Sequence, residues 1–221
     1  LNTLYLVFWV LVITVGLGTL LAVLFDQEFP GRNIARLFAI APFFVMPTVS
    51  ALIWENLLMH PVNGLFAFFA RSLGFQPIDF FGSMPLTSVI MIVAWQWLPF
   101  ALLILLTAMQ SLDNEQKEAA RMDGAKPVSM FFFIILPHLS RAISVVIMIE
   151  TICLLSVFAE IRVTTNGGPG LASTNLAYLI FQQALENYDV GLASAGGLIA
   201  VVLANIVAVF LVRAIAKNVA D

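Results

Sequence analysis

Charge is what this sequence has least of. Only 10% of its 221 residues are Asp, Glu, Lys or Arg, and 61% are hydrophobic. A soluble domain carries about 25% charged residues, so this chain cannot face water all round and reads as an integral membrane protein. Its ten Lys and Arg form no basic run, which leaves nucleic-acid binding without an electrostatic footprint. A single cysteine, Cys153, excludes an intramolecular disulfide and a multi-cysteine metal site. Flanked by Ile152 and Leu154, it reads as a small apolar residue. The phosphate-cradling pattern Gly-x4-Gly-Lys-Ser/Thr is absent, so a nucleotide would have to be bound by another chain. His60 and His138 each sit beside a proline near the end of an apolar run, and no Ser-His-Asp arrangement accompanies them. Nothing here suggests an enzyme.

What is present is long apolar runs. Five are long enough to span a bilayer, which takes about 20 residues: 4–25, 37–54, 86–110, 142–159 and 190–212. Pro42, Pro47 and Pro99 would break helices in water but are tolerated as kinks in a membrane, so the second run is expected to be one kinked span. Lys and Arg set the orientation. Arg32, Arg36, Lys117, Arg121, Lys126, Arg141, Arg213 and Lys217 fall on one side, against Arg71 and Arg162 on the other. That side is cytoplasmic and holds the C-terminus. No charged n-region precedes the first run and no small-residue cleavage site follows it, so it reads as a span and not a signal peptide. Five spans place Leu1 outside, and a further helix is expected ahead of it.

Two connections on the external side carry information. Residues 59–83 are turn-rich, with Pro61, Asn63, Gly64, Gly74, Pro77 and Gly82 around an apolar piece, 65–69, suited to the membrane interface. Asn166, Gly167, Gly168 and Pro169 form a sharp turn where glycine supplies positive φ. Ser173 or Thr174 can then cap a short helix running to about Glu186.

Residues 113–137 are a charged, helix-forming segment between apolar runs. Asp113 can cap it, with Gln116 placed for a capping box. Within it stand Glu118, Ala119, Ala120, Gly124, Ile134, Leu136 and Pro137, at the spacing EAA-x3-G-x9-I-x-L-P. This signature resembles that of permease subunits in binding-protein-dependent ABC importers. The resemblance extends through Asn166–Gly170 and Gly191–Ala195, which look like the sugar-importing, maltose-type first permease. The Trp-Asn pair usual in the second permease of such pairs is lacking here. Residues 164–170 and 193–210 look closest to polyol (mannitol or sorbitol) permeases.

The resemblance implies an all-α membrane fold, with residues 1–221 a single permease domain and the core of a six-helix unit. It also implies that 113–137 docks on an ATPase. Ala119 and Ala120 would allow close approach, Glu118, Arg121 and Asp123 would give polar register, Gly124 a turn, and Pro137 a bend into the next span. The implied partners are a second permease, two ATP-binding cassette subunits that hold ATP and Mg²⁺, and an external solute-binding protein. The location is the bacterial cytoplasmic (inner) membrane.

A solute path is sought where polar groups interrupt the spans, because such groups usually face a bundle interior or a water-filled cavity. Val93, Gln96, Trp97 and Phe100 share one helical face, and Glu150, Cys153, Leu154 and Val157 another. Counted from the EAA and Gly-Gly-Pro landmarks, these faces resemble those lining the sugar site in maltose-type permeases, although the residue types differ. An anionic solute would want Arg or Lys along its route, and none but Arg162 is near, so a neutral polyhydroxy solute fits better. Two other readings remain open at this stage: a secondary transporter that couples ions through Glu150, or a structural membrane subunit.

Overall fold

The computed structural model describes residues 1–220, apart from the side chains of Asn114, Arg121, Leu211, Val212 and residues 214–220. Among the described residues all regular structure is helical. In chain order the helices are α1 (Asn2–Asp26), α2 (Arg32–Phe44), α3 (Pro47–Leu58), α4 (Leu65–Ser72), α5 (Phe80–Ser83), α6 (Pro85–Gln110), α7 (Asn114–Met122), α8 (Pro127–Leu154), α9 (Ala159–Thr164), α10 (Leu176–Phe181, continued by a π turn at Gln182–Glu186) and α11 (Val190–Ala220). Helices α1, α6, α8 and α11 are each long and apolar enough to cross a bilayer, and α2 and α3 together make a bent pair of the same apolar character, which counts as a fifth if it is one span.

The tightest seam joins α1 to α6. Thr14, Gly18 and Ala22 recur every four residues on the buried face of α1. A Cβ at Gly18 would lie 3.1 Å from Ala101 Cβ and 3.4 Å from the Leu102 nitrogen. Without a hydrophobic force between helices in lipid, small residues earn stability by letting backbones approach. Three apolar clusters stack along the bundle. Leu6, Val10, Val89 and Tyr178 mark one end, Ala22, Leu102 and Val146 the middle, and Met109, Leu112 and Leu139 the end that carries α7.

Two crossings are interrupted, and both depart from the sequence expectation. The second run is bent far more sharply than a proline kink: α2 and α3 meet at 108°. Val45 (ψ 130°) and Met46 (ψ 139°) are extended, Met46 because the ring of Pro47 disfavours helix in the residue before it. The fourth crossing starts earlier than 142 and ends sooner than 159. It is helical over Pro127–Leu154, with a π turn at Phe131–Ile135, and resumes only at Ala159. Near the far end, α10 is capped by neither Ser173 nor Thr174. Asn175 does this, its side chain accepting from the Tyr178 N–H at 2.8 Å.

Candidate functional site

The two interruptions lie side by side against α6. Between them lies a cavity of about 590 Å³, walled by Phe43 to Pro47 from the first break, Gln96 and Trp97 from α6, and Cys153 with residues 156–160 from the second. Residues outside regular helix have carbonyls that no intrahelical N–H satisfies, so two breaks at one place expose polar backbone there. Gln96, 7% exposed, answers one of these groups. Its Nε2 donates to the Val45 carbonyl at 2.9 Å, and its Oε1 is buried without a partner among the described residues. Phe43 stacks on Phe100 (centroids 6.1 Å apart, planes at 22°) and meets Trp97 edge-on. The apolar wall is therefore aromatic.

Of the residues expected on a solute path, Gln96, Trp97, Cys153 and Val157 line this cavity. Phe100 supports it through Phe43. Val93 and Leu154 do not reach it and belong to the apolar cluster at the end away from α7. Glu150 does not reach it either. Wholly buried, it accepts a hydrogen bond from Thr14 Oγ1 at 2.6 Å, which ties α8 to α1. Its Oε1 has no partner among the described residues. The carboxylate in the cavity wall is instead Glu160, 3% exposed. Sequence reasoning passed over it because it fell just past the reckoned end of a span. The signal that could have found it was a carboxylate in an apolar context, between Phe158 and Ile161, close to a loop of known turn chemistry.

At the α7 end, Asp113 Oδ1 accepts from the Glu115 N–H at 3.0 Å and starts the helix. Lys117 Nζ bridges to Asp26 Oδ2 at 2.9 Å and fastens α7 to the end of α1. Glu118, Ala119 and Asp123 are exposed; the side chain of Arg121 lies outside the described residues. Ala120, by contrast, is half-buried against the chain's own core, as is Ile134. Leu136 is half-buried and Pro137 exposed. Gly124 ends the helix with φ +80°, and the Ala125 N–H returns to the Ala120 carbonyl at 3.0 Å, a left-handed cap that suits glycine. A Cβ there would meet nothing within 4 Å, so the glycine is required by conformation and not by crowding.

At the other end, Asn166 (φ 52°), Gly167 (φ 80°) and Gly170 (φ 63°) form the expected turn. Tyr178 Oη donates to Asn166 Oδ1 at 3.2 Å, Ser173 Oγ to the Gly168 carbonyl at 3.1 Å, and Ala172 N–H to the Pro169 carbonyl at 3.2 Å. The Asn2 amide donates to the carbonyls of Leu171, Ala172 and Thr174, and Thr3 Oγ1 accepts from the Leu176 N–H. The turn is thus fastened to the start of α1.

Residues 14–221 match the family of binding-protein-dependent transport system inner membrane components, and the chain belongs to it. It is 34% identical over 181 residues to a probable ABC transporter permease of Sinorhizobium fredii (81% of this chain, 58% of that one). It is also 34% identical over 181 residues to the trehalose/maltose transport system permease protein MalF of Thermococcus litoralis (80% and 61%). The sn-glycerol-3-phosphate transport system permease protein UgpA of Brucella abortus is 27% identical over 210 residues (94% and 71%). The chain therefore spans about three fifths of the first two relatives' length. A bacterial ABC transporter involved in the import of the acidic polysaccharide alginate shares the fold, with a TM-score of 0.85 at 22% identity over 98% of this chain and 77% of that one.

Proposed function

We propose that this chain is a translocation subunit of an ATP-driven, binding-protein-dependent importer, and that its solute is a neutral carbohydrate, either a sugar or a polyol. In this reading it pairs with a second permease and docks through α7 on an ATP-binding cassette subunit, one of two that hold ATP and Mg²⁺. It receives solute from an external binding protein. Its C-terminus and α7 are cytoplasmic, and transport proceeds by alternating access.

The observation that carries the reading is the way α7 is presented. Lys117 and Ala120 fasten one side of it to the bundle, and Glu118, Ala119 and Asp123 are left uncovered beside Met122, which is 88% exposed. An apolar methionine next to a small alanine on a charged helix makes a surface that a second protein can cover. Glu150, held by Thr14 away from the cavity, lends no support to ion coupling. The solute's charge is left open by the relatives' names, which include both sugars and glycerol 3-phosphate; the composition of the cavity argues against an anionic solute.

Ala119 is the residue to test. Gly124 is a poorer choice, because any side chain at φ +80° strains the turn and confounds docking with folding. Ala119→Trp in the reconstituted complex should cut solute uptake at least about tenfold while the subunit still inserts. Uptake at the unsubstituted rate would remove α7 from the ATPase interface. Orientation is checked separately: a cysteine at Asn166 should react with reagents confined to the external side.

A further inference from the structure

The polar groups of the cavity are one-sided. Gln96 spends one amide N–H on the Val45 carbonyl, and its Oε1 is buried behind the cavity wall. Ser156 donates its hydroxyl proton to the Cys153 carbonyl at 2.7 Å and offers lone pairs. Glu160 brings a carboxylate that takes part in neither ion pair and in no side-chain hydrogen bond among the described residues. No Lys, Arg or His stands among the lining residues. Arg162 is near in sequence but engaged elsewhere, paired with Glu186 at 2.7 Å and lying over the Phe181 ring. A solute entering here must bring the donors. Hydroxyl and ammonium groups do. A phosphate or carboxylate brings further acceptors and would be desolvated against acceptors, with nothing to offset the cost.

We propose that Glu160 is the residue that sets the charge specificity of this cavity, admitting donor-rich neutral or cationic solutes and rejecting anionic ones. The proposal rests on the reading that the cavity lies on the solute's route. Its test does not use uptake, so the two can fail separately.

Cys153, in the cavity wall and the only cysteine of the chain, serves as the probe. The assembled transporter in nanodiscs is treated with a cationic trimethylammonium-ethyl or an anionic sulfonatoethyl methanethiosulfonate. Modification of the Cys153 peptide is followed by mass spectrometry, and each rate is normalised to that of a free thiol. The cationic reagent should react at least about tenfold faster. Glu160→Gln should bring the two rates close together, whereas Glu150→Gln, one helical turn from Cys153 but outside the cavity, should leave the ratio in place. Equal rates in the unsubstituted protein overturn the proposal, as does a ratio that survives Glu160→Gln or follows Glu150 instead. Should Cys153 resist both reagents, Ser156→Cys gives a second target in the same wall, and its failure to react would mean that no solute reaches the cavity, which also overturns it. A transporter that imports no neutral carbohydrate, yet keeps the charge ratio, would refute the functional reading alone.

Discussion

Glu150 and Glu160 stand on either side of the break that follows Leu154, and both are shut away from solvent, at 0% and 3% exposure. Their surroundings could hardly differ more. Glu150 lies inside a continuous helix, has Thr14 of a neighbouring helix as its partner, and holds two elements together. Glu160 opens a short helix beyond the break, has no side-chain partner among the described residues, and faces space. Burial alone does not make a carboxylate functional. What separates the two is whether the protein has already answered the group or left it for something else to answer.

The largest effects that would sharpen this contrast are at the Thr14–Glu150 pair. Thr14→Val strands a buried carboxylate and should lower stability by about 1–3 kcal/mol, read as a lower thermal midpoint in detergent. Glu150→Leu should cost less, because the Thr14 hydroxyl also lies 3.4 Å from the Leu11 carbonyl and has somewhere to turn. A Glu150→Leu protein of unaltered thermal stability that no longer imports would break the contrast and return Glu150 to the solute path.

Glu160→Gln comes next. It exchanges a charged acceptor for a neutral one, a difference of about 1 kcal/mol per solute hydroxyl, or about fivefold in uptake kcat/KM, while the thermal midpoint stays put. A fall in stability without a change in uptake would make Glu160 a packing residue like Glu150. The smallest effect is expected at Lys117→Ala, which removes a partly exposed ion pair contributing about 0.2–1 kcal/mol. It should loosen ATPase stimulation by solute more than it lowers stability, and unchanged stimulation would show that α7 needs no fastening to α1.

Most of the architecture was legible because lipid imposes it. An apolar run such as 4–25 has few alternatives to a helix, and the signature from Glu118 to Pro137 located α7. The breaks were harder to read. Pro47 announced a disturbance but not its angle, since Pro99, which also lacks an N–H, sits inside an unbroken α6. The end of α8 carries no Pro or Gly among residues 155–158, so tertiary packing, and not local preference, stops the helix there. Nothing in the sequence marks that break, so Glu160 reads as lying beyond a span when it stands in the next helix, beside the cavity. Spacing likewise put Ala119 and Ala120 together, and only the path of the chain shows that Ala120 belongs to the core.

Helix α1 is bonded at both ends to segments that belong to opposite extremities of the molecule. Asn2 and Thr3 grip the turn and the start of α10, and Asp26 grips Lys117 of α7. The helix between them has 25 residues without an internal proline, a rod of about 37 Å. A rod joined at each tip cannot shift lengthwise at one without shifting at the other. The α7 end and the loop of Asn166 and Gly167 are thus tied to the two tips of one unbroken helix, by a single part-exposed ion pair at one tip and by side-chain hydrogen bonds at the other.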